Sequence, residues 1–246
     1  MEKRNMVAVL YLNNSWEWSG GYGYYLEQAG MGKAPRPNED GYPAFMNFVA
    51  KYASCEKAHQ LFYDYVRFII GRTNRYTHRR YVDDPAIMSW QIGNEPRAFS
   101  KEALPDFEHW LAETSSLIRS LDSNHLISIG SEGSWGCEND IACYERICAD
   151  KNVDYCNIHL WPYNWSWARQ DHLVEDLGVS CKNTKEYIDK HLVFLSLQEV
   201  APWEGMAIIN MCSDWWPTML KRVDTLLVAT FGDGVALHNL CMSNGR

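Results

Sequence analysis

The sequence predicts an α/β fold built on a parallel sheet, and three observations carry that prediction. Apolar runs that end in polar residues alternate along the chain with segments of helical periodicity. The runs are continuous, as in parallel strands buried on both faces. The 246 residues, 46% of them hydrophobic and 13% aromatic, can bury one large core, at a length that fits a single domain of α/β-barrel size.

The first run, "MVAVLYL" (Met6 to Leu12), stops at Asn13-Asn14 and reads as a buried strand. An aromatic, glycine-rich loop follows. The segment "CEKAHQLFYDYVRFIIGRTNRY" carries Leu61, Tyr65, Phe68 and Ile69 at helical spacing, which predicts a helix with an apolar stripe through those positions. Next come the strand "AIMSWQI", a helix from Lys101 to Leu121, and the strand "LISIGS" at Leu126 to Ser131. A short helix, "NDIACYERICAD", leads into the strand "VDYCNIHLW" at Val153 to Trp161, and "NTKEYIDKHLVFL" is helical again. Four strands alternating with helices imply a parallel sheet with right-handed crossovers. The chain shows no internal repeat and no low-complexity linker.

Composition narrows the function classes. With 23 basic and 31 acidic residues the net charge is -8, and no Lys/Arg stripe is present to neutralise phosphates. No apolar run approaches the ~18 residues of a membrane span. Neither nucleic acid nor a membrane is expected as a partner. The start "MEKRNMVAVLYLNN" has too short an apolar run for a signal peptide and no small-residue cleavage site, so the compartment stays open. The eight cysteines form no CxxC pair and have no histidine partners at zinc-finger spacing; free, buried thiols are expected, with no metal and no cofactor.

The polar and aromatic residues collect where strands end. Asn13, Asn14 and Trp16 follow the first strand, and Asn94 and Glu95 the second. Glu132 and Trp135 follow the third, and His159, Trp161 and Tyr163 the fourth. In a (β/α)8 barrel the C-terminal strand ends converge on one face, so these groups would line a single cleft. "SWQIGNEPR" is the sharpest case, because a glutamate ending an interior strand is expensive to desolvate unless the burial serves to keep a proton available near neutrality. Each residue also has a structural reading. Glu95 can cap the following helix or pair with Arg97; His159 can be a hydrogen-bonded core histidine; Trp16, Trp18, Trp161, Trp165 and Trp167 can be rim packing. Eleven tryptophans gathered largely in strand-end loops weigh toward a binding surface, and flat rings beside carboxylates suit a sugar, with its apolar face and rim of hydroxyls.

The run "YVDDPAIMSWQIGNEPR" resembles the fourth-strand signature of glycoside hydrolase family five. "YLNNSWEWSGGYGYYLEQAG", "GSEGSWGCEND" and "NIHLWPYNWSW" resemble its β-mannanase branch, four motifs in order over roughly three quarters of the chain. The resemblance implies a (β/α)8 TIM barrel, incomplete here with about strands three to six, that cleaves internal β-1,4 linkages in mannans with retention of configuration. It implies Glu95 as general acid/base, Asn94 as hydrogen-bond partner of the sugar 2-hydroxyl, and His159 as a residue orienting the catalytic carboxylates. Glu132 and Trp135 fall where the family contacts leaving-group sugars. Trp161 stands where many relatives carry tyrosine, and Tyr163 is the candidate to replace that hydroxyl. The alternatives are a β-1,4-glucanase of the same family and a non-catalytic glycan-binding fragment using Trp16, Trp135 and Trp161.

Retaining hydrolysis requires two carboxyl groups ~5 Å apart, and Glu95 supplies one. The resembled family places the nucleophile in an apolar-Glu-Glu-Phe-Gly motif soon after the helix that here contains "TKEYIDKHL". Neither Glu199 nor Glu204 in "VFLSLQEVAPWEGMAIINMCSDWWPT" has those neighbours, so no nucleophile is assigned and its absence is expected. Back-translated and read two nucleotides later, "VATFGDGVALHNL" and "WEGMAIINMCSDW" permit strings that resemble the family's eighth-strand motif and seventh helix. The expectation is a partial catalytic domain at 1–192 and an out-of-frame tail at 193–246 with no domain of its own. By the same resemblance strands one and two would lie upstream of Met1. A half-barrel of that kind exposes strand edges, which favours aggregation, and lacks mannanase activity as it stands.

Overall fold

The computed structural model describes residues 6–172, 174–197, 207–211 and 227–231. They fall into two units, Met1–Cys156 and Asn157–Arg246. In the first unit, β1 (Ala8–Tyr11), β2 (Ile87–Gln91) and β3 (Leu126–Ser128) form a parallel sheet in the order β1-β2-β3. Val9 lies opposite Ser89, and Ser89 opposite Leu126. Tyr155 continues the pairing through a parallel bridge to Ser128. All three strands are shorter than the apolar runs that predict them, and backbone bonds carry the pairing on beyond them, with Leu12 N–H on Gln91 O and Ile92 N–H on Ser128 O, both at 2.9 Å.

Seven helices are described: α1 (Gly21–Gln28), α2 (Pro37–Asp40), α3 (Tyr42–Val49), α4 (Glu56–Ile70), α5 (Leu104–Leu121), α6 (Ile141–Cys148) and α7 (Leu177–Leu197). The aromatic, glycine-rich stretch read as loop is therefore partly helical. Its aromatic residues supply the buried side: Tyr22 and Leu26 of α1 and Phe45, Phe48 and Val49 of α3 are buried. Tyr22 stacks on Tyr52 with centroids 4.0 Å apart, and Trp110 of α5 meets both edge-on at 5.6 and 5.2 Å.

On α4 the expected stripe is displaced. Ala58, Phe62, Val66 and Ile70 are buried at four-residue spacing, with His59 and Tyr63 beside them. Tyr65 and Phe68 are instead exposed, at 38% and 62%. Two apolar faces overlap on this helix, and the one lacking hydroxyls and charges at every fourth position faces the core. Exposed Phe68 lies beneath the Arg72 guanidinium, 5.6 Å from the ring centroid.

A polar cluster fastens β2 to the turn before β3. The Trp90 indole N–H donates to Asp122 Oδ2 at 2.7 Å, and His125 Nδ1 lies 2.7 Å from the same oxygen. The Asn124 and His125 amides donate to Asp122 Oδ1. Burial would push the Asp122 carboxyl up, but these hydrogen bonds outweigh it and hold the group below the usual carboxylate range.

The second unit opens within β4 (Cys156–Leu160), which is buried along its length. This strand leads a sheet in the order β4-β5-β6, with β5 (Ala207–Met211) and β6 (Leu227–Phe231) paired in parallel. The sequence reading places no strand after residue 192, so both are additions. Along α7, Ser180, Thr184, Tyr187, Ile188 and His191 form the buried stripe. Glu199 and Glu204 lie outside the described residues, as does the expected out-of-frame tail apart from residues 193–197, 207–211 and 227–231. The six described cysteines carry free thiols, and Cys137, Cys143 and Cys156 are buried.

Two stability outcomes are expected. Phe62→Ala opens a cavity in the core and loses ~3–5 kcal/mol in urea unfolding, whereas Phe68→Ala stays within ~0.5 kcal/mol. Because the folded-state pKa of Asp122 is depressed, its contribution is fully present above the unfolded value of ~3.9 and is lost as pH falls through the folded value. Asp122→Asn should flatten that acid limb in unfolding curves measured from pH 6 down to pH 2.

Candidate active site

The β1 and β2 ladders continue past the strands into the site. Asn94 N–H donates to Asn13 O at 2.8 Å, and Asn14 and Asn94 form a parallel bridge. On the other side, Gly93 N–H donates to Ile129 O at 3.2 Å and Glu95 N–H to Gly130 O at 3.0 Å. Gly130 has φ +81°, and a Cβ there would overlap the Gly93 carbonyl oxygen. Only glycine permits that approach.

Glu95, the end product of this convergence, is 8% exposed. Its φ is +52°, the left-handed region that costs a non-glycine residue ~1–2 kcal/mol. The Ser15 hydroxyl donates to the Glu95 carbonyl and helps hold the turn. The side chain has a defined partner as well: Trp16 Nε1–H donates to Glu95 Oε2 at 2.7 Å. Trp16 is in turn fixed by its backbone N–H on Asn14 Oδ1 at 3.1 Å, and Asn94 Nδ2 lies 3.4 Å from the same oxygen. Gly21 (φ +47°) starts α1 against this loop; a Cβ there would meet Asn14 O at 2.8 Å. Asn13 turns away and donates to the Tyr52 hydroxyl at 3.1 Å.

Arg97 does not realise the pairing with Glu95 that its spacing offers. Its Nε donates to Glu132 Oε2 at 3.0 Å and a second guanidinium N–H reaches the same oxygen. Both are desolvated, with side chains 13% and 2% exposed. The guanidinium also lies over the Trp16 ring, 5.2 Å from its centroid, while Phe99 meets that ring edge-on at 5.6 Å. Nor does Glu95 cap the next helix, which begins at Leu104 with Ala103 as its N-cap. Trp135 is half-buried in the 3₁₀ turn Ser134–Cys137 that follows Glu132.

The structure thus brings together Trp16, Asn94, Glu95 and Glu132, and adds two residues the sequence did not single out for these roles, Ser15 and Arg97 as the partner of Glu132. In the second unit, His159 is buried at 1% exposure near the end of β4, and its ring meets that of Trp161 edge-on at 6.4 Å. Tyr163 is 49% exposed and lines a surface hollow with Asn164, Ser166, Ala168 and Arg169. Trp165, Trp167 and Tyr187 cluster with centroids 4.9 to 6.0 Å apart. Among the described residues no group of three or more His, Cys, Asp or Glu is placed to hold a metal ion, and no helix is long and apolar enough to cross a membrane.

Residues 1–200 match the family described as GH family 5 beta-mannosidase-like. The chain belongs to glycoside hydrolase family 5. Its similarity to curated members includes Mannan endo-1,4-beta-mannosidase 1 of Arabidopsis thaliana, 27% identical over 83% of this chain and 51% of that protein. Mannan endo-1,4-beta-mannosidase 7 of Oryza sativa subsp. japonica is 30% identical over 95% of this chain and 62% of its own length. Among solved structures, the family 5 mannosidase of Rhizomucor miehei superposes with a TM-score of 0.68 at 26% identity, over 85% of this chain and 48% of that one. The endo-1,4-beta-D-mannanase of Thermotoga petrophila superposes at 0.63 and 21% identity, which speaks for the fold alone. The family 5 chain therefore has the (β/α)8 barrel fold in part, and it spans about half the length of the curated relatives it matches.

Removing one partner of the buried ion pair strands the other. Arg97→Ala leaves the Glu132 carboxylate desolvated without its cation and is expected to cost ~3–5 kcal/mol. Lysine at the same position, a point charge without the fork, should recover only part of that loss in urea unfolding.

Proposed function

We propose that this chain carries the acid/base half of a retaining hydrolase of internal β-1,4-mannosidic linkages. The observation that carries the reading is Glu95 itself: a desolvated carboxyl in a left-handed backbone conformation at a strand end, with one oxygen held by a buried-side donor. Strain of this kind persists only where the surroundings over-determine it, and it concentrates at functional sites. The mannan assignment is supported by the relatives named above, which are mannan endo-1,4-beta-mannosidases.

In the first step Glu95 gives its proton to the glycosidic oxygen as the C1–O bond breaks and its electron pair passes to that oxygen. A carboxylate on the opposite face attacks C1. In the second step Glu95, now ionised, takes a proton from the water that displaces the carboxylate. Asn94, anchored on Asn14, is assigned to the 2-hydroxyl at the cleavage point. Glu132 and Trp135 are assigned to the leaving-group sugars, and Trp161 and Tyr163 to further sugar contact. His159 is assigned to orienting the carboxylates. The nucleophile is unassigned among the described residues.

An external nucleophile tests this division of labour. Azide added with an aryl β-mannotrioside is expected to yield the α-mannosyl azide, the product of attack opposite the departing phenol. Mannan without azide should stay intact. Glu95→Gln should lower azide-dependent cleavage of a phenyl glycoside by ~10²- to 10⁴-fold, the usual share of general acid catalysis. Absence of the azide product, or equal cleavage of the matching cellotrioside, overturns the mannan-hydrolase reading.

A further inference from the structure

The backbone of Asn94 is held on both sides, but that alone does not orient its side chain. Its N–H donates to Asn13 O at 2.8 Å, and its carbonyl accepts the Ser15 N–H at 3.3 Å. The amide at the end of an asparagine side chain still turns about a torsion with broad, roughly two-fold preferences, and half a turn exchanges oxygen for nitrogen. At a sugar hydroxyl the exchange matters, because the oxygen only accepts and the NH₂ only donates.

Asn14 removes that freedom. The Trp16 backbone N–H is a donor without ambiguity and lies 3.1 Å from one atom of the Asn14 amide, so that atom is Oδ1. The Asn94 group 3.4 Å from the same oxygen is then its NH₂, since two carbonyl oxygens facing each other would repel. At 3.4 Å the bond is long, and it acts by selecting polarity more than by strength. Among the described residues the Asn94 side chain has no other partner, so its Oδ1 and one N–H are left for a ligand.

We propose that Asn14 is a positioning residue for Asn94: its Oδ1 holds one N–H of the Asn94 amide, so that Asn94 meets the sugar 2-hydroxyl with one acceptor and one donor in fixed places. The proposal rests on the assignment of Asn94 to that hydroxyl and adds what sets its orientation. Asn14 can do this because it is itself immobilised. It is 3% exposed, its N–H donates to Asn13 Oδ1 at 2.8 Å, and its carbonyl accepts the Tyr22 N–H at 2.8 Å. The parallel bridge between residues 14 and 94 sets the two amides level with each other at neighbouring strand ends. A leucine at 14 would fill nearly the same volume and accept nothing, leaving both the Trp16 N–H and the Asn94 NH₂ without their acceptor.

The full chain, labelled with ¹⁵N, provides a test that needs no turnover. The two side-chain N–H signals of Asn94 are assigned by their loss in Asn94→Ala. In Asn14→Leu the held one should move upfield, and in Asn14→Asp, where a carboxylate is the stronger acceptor, it should move downfield. Asn94 signals that stay in place in both variants overturn the proposal. If neither variant at 14 folds, Asn94→Ala decides at the Trp16 backbone N–H, which shares the oxygen: a shift supports the pairing and an unmoved signal overturns it. Azide-supported cleavage of 4-nitrophenyl β-mannotrioside, whose leaving group needs little protonation, keeps any effect on Glu95 out of the rate. The ratio of kcat/KM for this substrate over its counterpart lacking the 2-hydroxyl at the cleaved sugar should fall about 3- to 10-fold in Asn14→Leu, the span of one neutral hydrogen bond, and recover in part in Asn14→Asp. Equal losses on both substrates mean a merely structural Asn14 and overturn the proposal. So does a ratio that falls in Asn14→Leu but not in Asn94→Ala, because Asn14 would then act without Asn94. If the native chain cleaves neither substrate, the hydrolase reading fails, and the amide signals still decide whether Asn14 holds Asn94.

Discussion

Glu95 can stay in the left-handed region only because a glycine far from it in sequence lets two strand ends approach. The Gly130 carbonyl accepts the Glu95 N–H, and Gly130 itself occupies φ +81° against the Gly93 carbonyl. A side chain at residue 130 would separate β3 from β2 at the level where Glu95 must turn. The ~1–2 kcal/mol of strain at Glu95 is comparable with one or two backbone hydrogen bonds. The turn holds because Ser15, Asn13 and Gly130 each supply or receive one. Strand convergence thus sets the direction of a carboxyl group, and everything else in the site is arranged around that direction.

Charge is distributed to match. Two carboxylates are buried at the ends of β2 and β3, and the guanidinium paired with one of them is largely covered. Arg97 reaches Glu132 through two N–H groups on one oxygen, while Glu95 receives the neutral indole of Trp16. An arginine held against a carboxyl favours its ionised form. An indole donor carries no charge and so does not favour the ionised form as strongly as a guanidinium does. Exchanging these two partners would turn a group suited to cycling between acid and base into one suited to staying charged. Proximity in sequence, Arg97 being two residues from Glu95, does not decide the pairing; the geometry of the strand ends does.

The parts of this structure that were legible in the sequence are those where burial is continuous. The runs at Ala8–Tyr11, Ile87–Gln91, Leu126–Ser128 and Cys156–Leu160 are strands, and the polar residues that end them are where the sequence puts them. The long helices α4, α5 and α7 were legible from periodicity, but the buried face of α4 was not. Tyr65 and Phe68 look as apolar as Phe62 and Val66 in a string, and only tertiary packing chooses between two overlapping faces. Helices α1 to α3 were hidden because glycines at 20, 21 and 23 and the proline at 37 read as loop signals. Gly20 and Gly21 do make a turn, with positive φ, and the helix begins directly after it. β5 (AIINM) and β6 (LVATF) are apolar runs much like those of the earlier strands, and they were passed over because the region after residue 192 was read as an out-of-frame tail.

The aromatic residues show why composition alone could not assign the site. Among the described tryptophans, Trp90 and Trp110 are wholly buried, and Tyr22 and Tyr52 form a stacked pair in the core beneath the site. Their contribution is burial, and their rings would serve any ligand or none. Trp16, Trp135 and Trp161 are half-buried at strand ends, where a ring can meet both protein and solvent. Within that group the ring itself does not separate sugar contact from packing. At Trp16 one atom adds to the ring, the indole nitrogen, which is aimed at a carboxylate oxygen. A phenylalanine there would bury nearly the same apolar area and leave Oε2 without that donor. The choice of tryptophan at residue 16 is therefore better explained by the N–H than by the ring, and that distinction exists only once the strand ends bring residues 16 and 95 together.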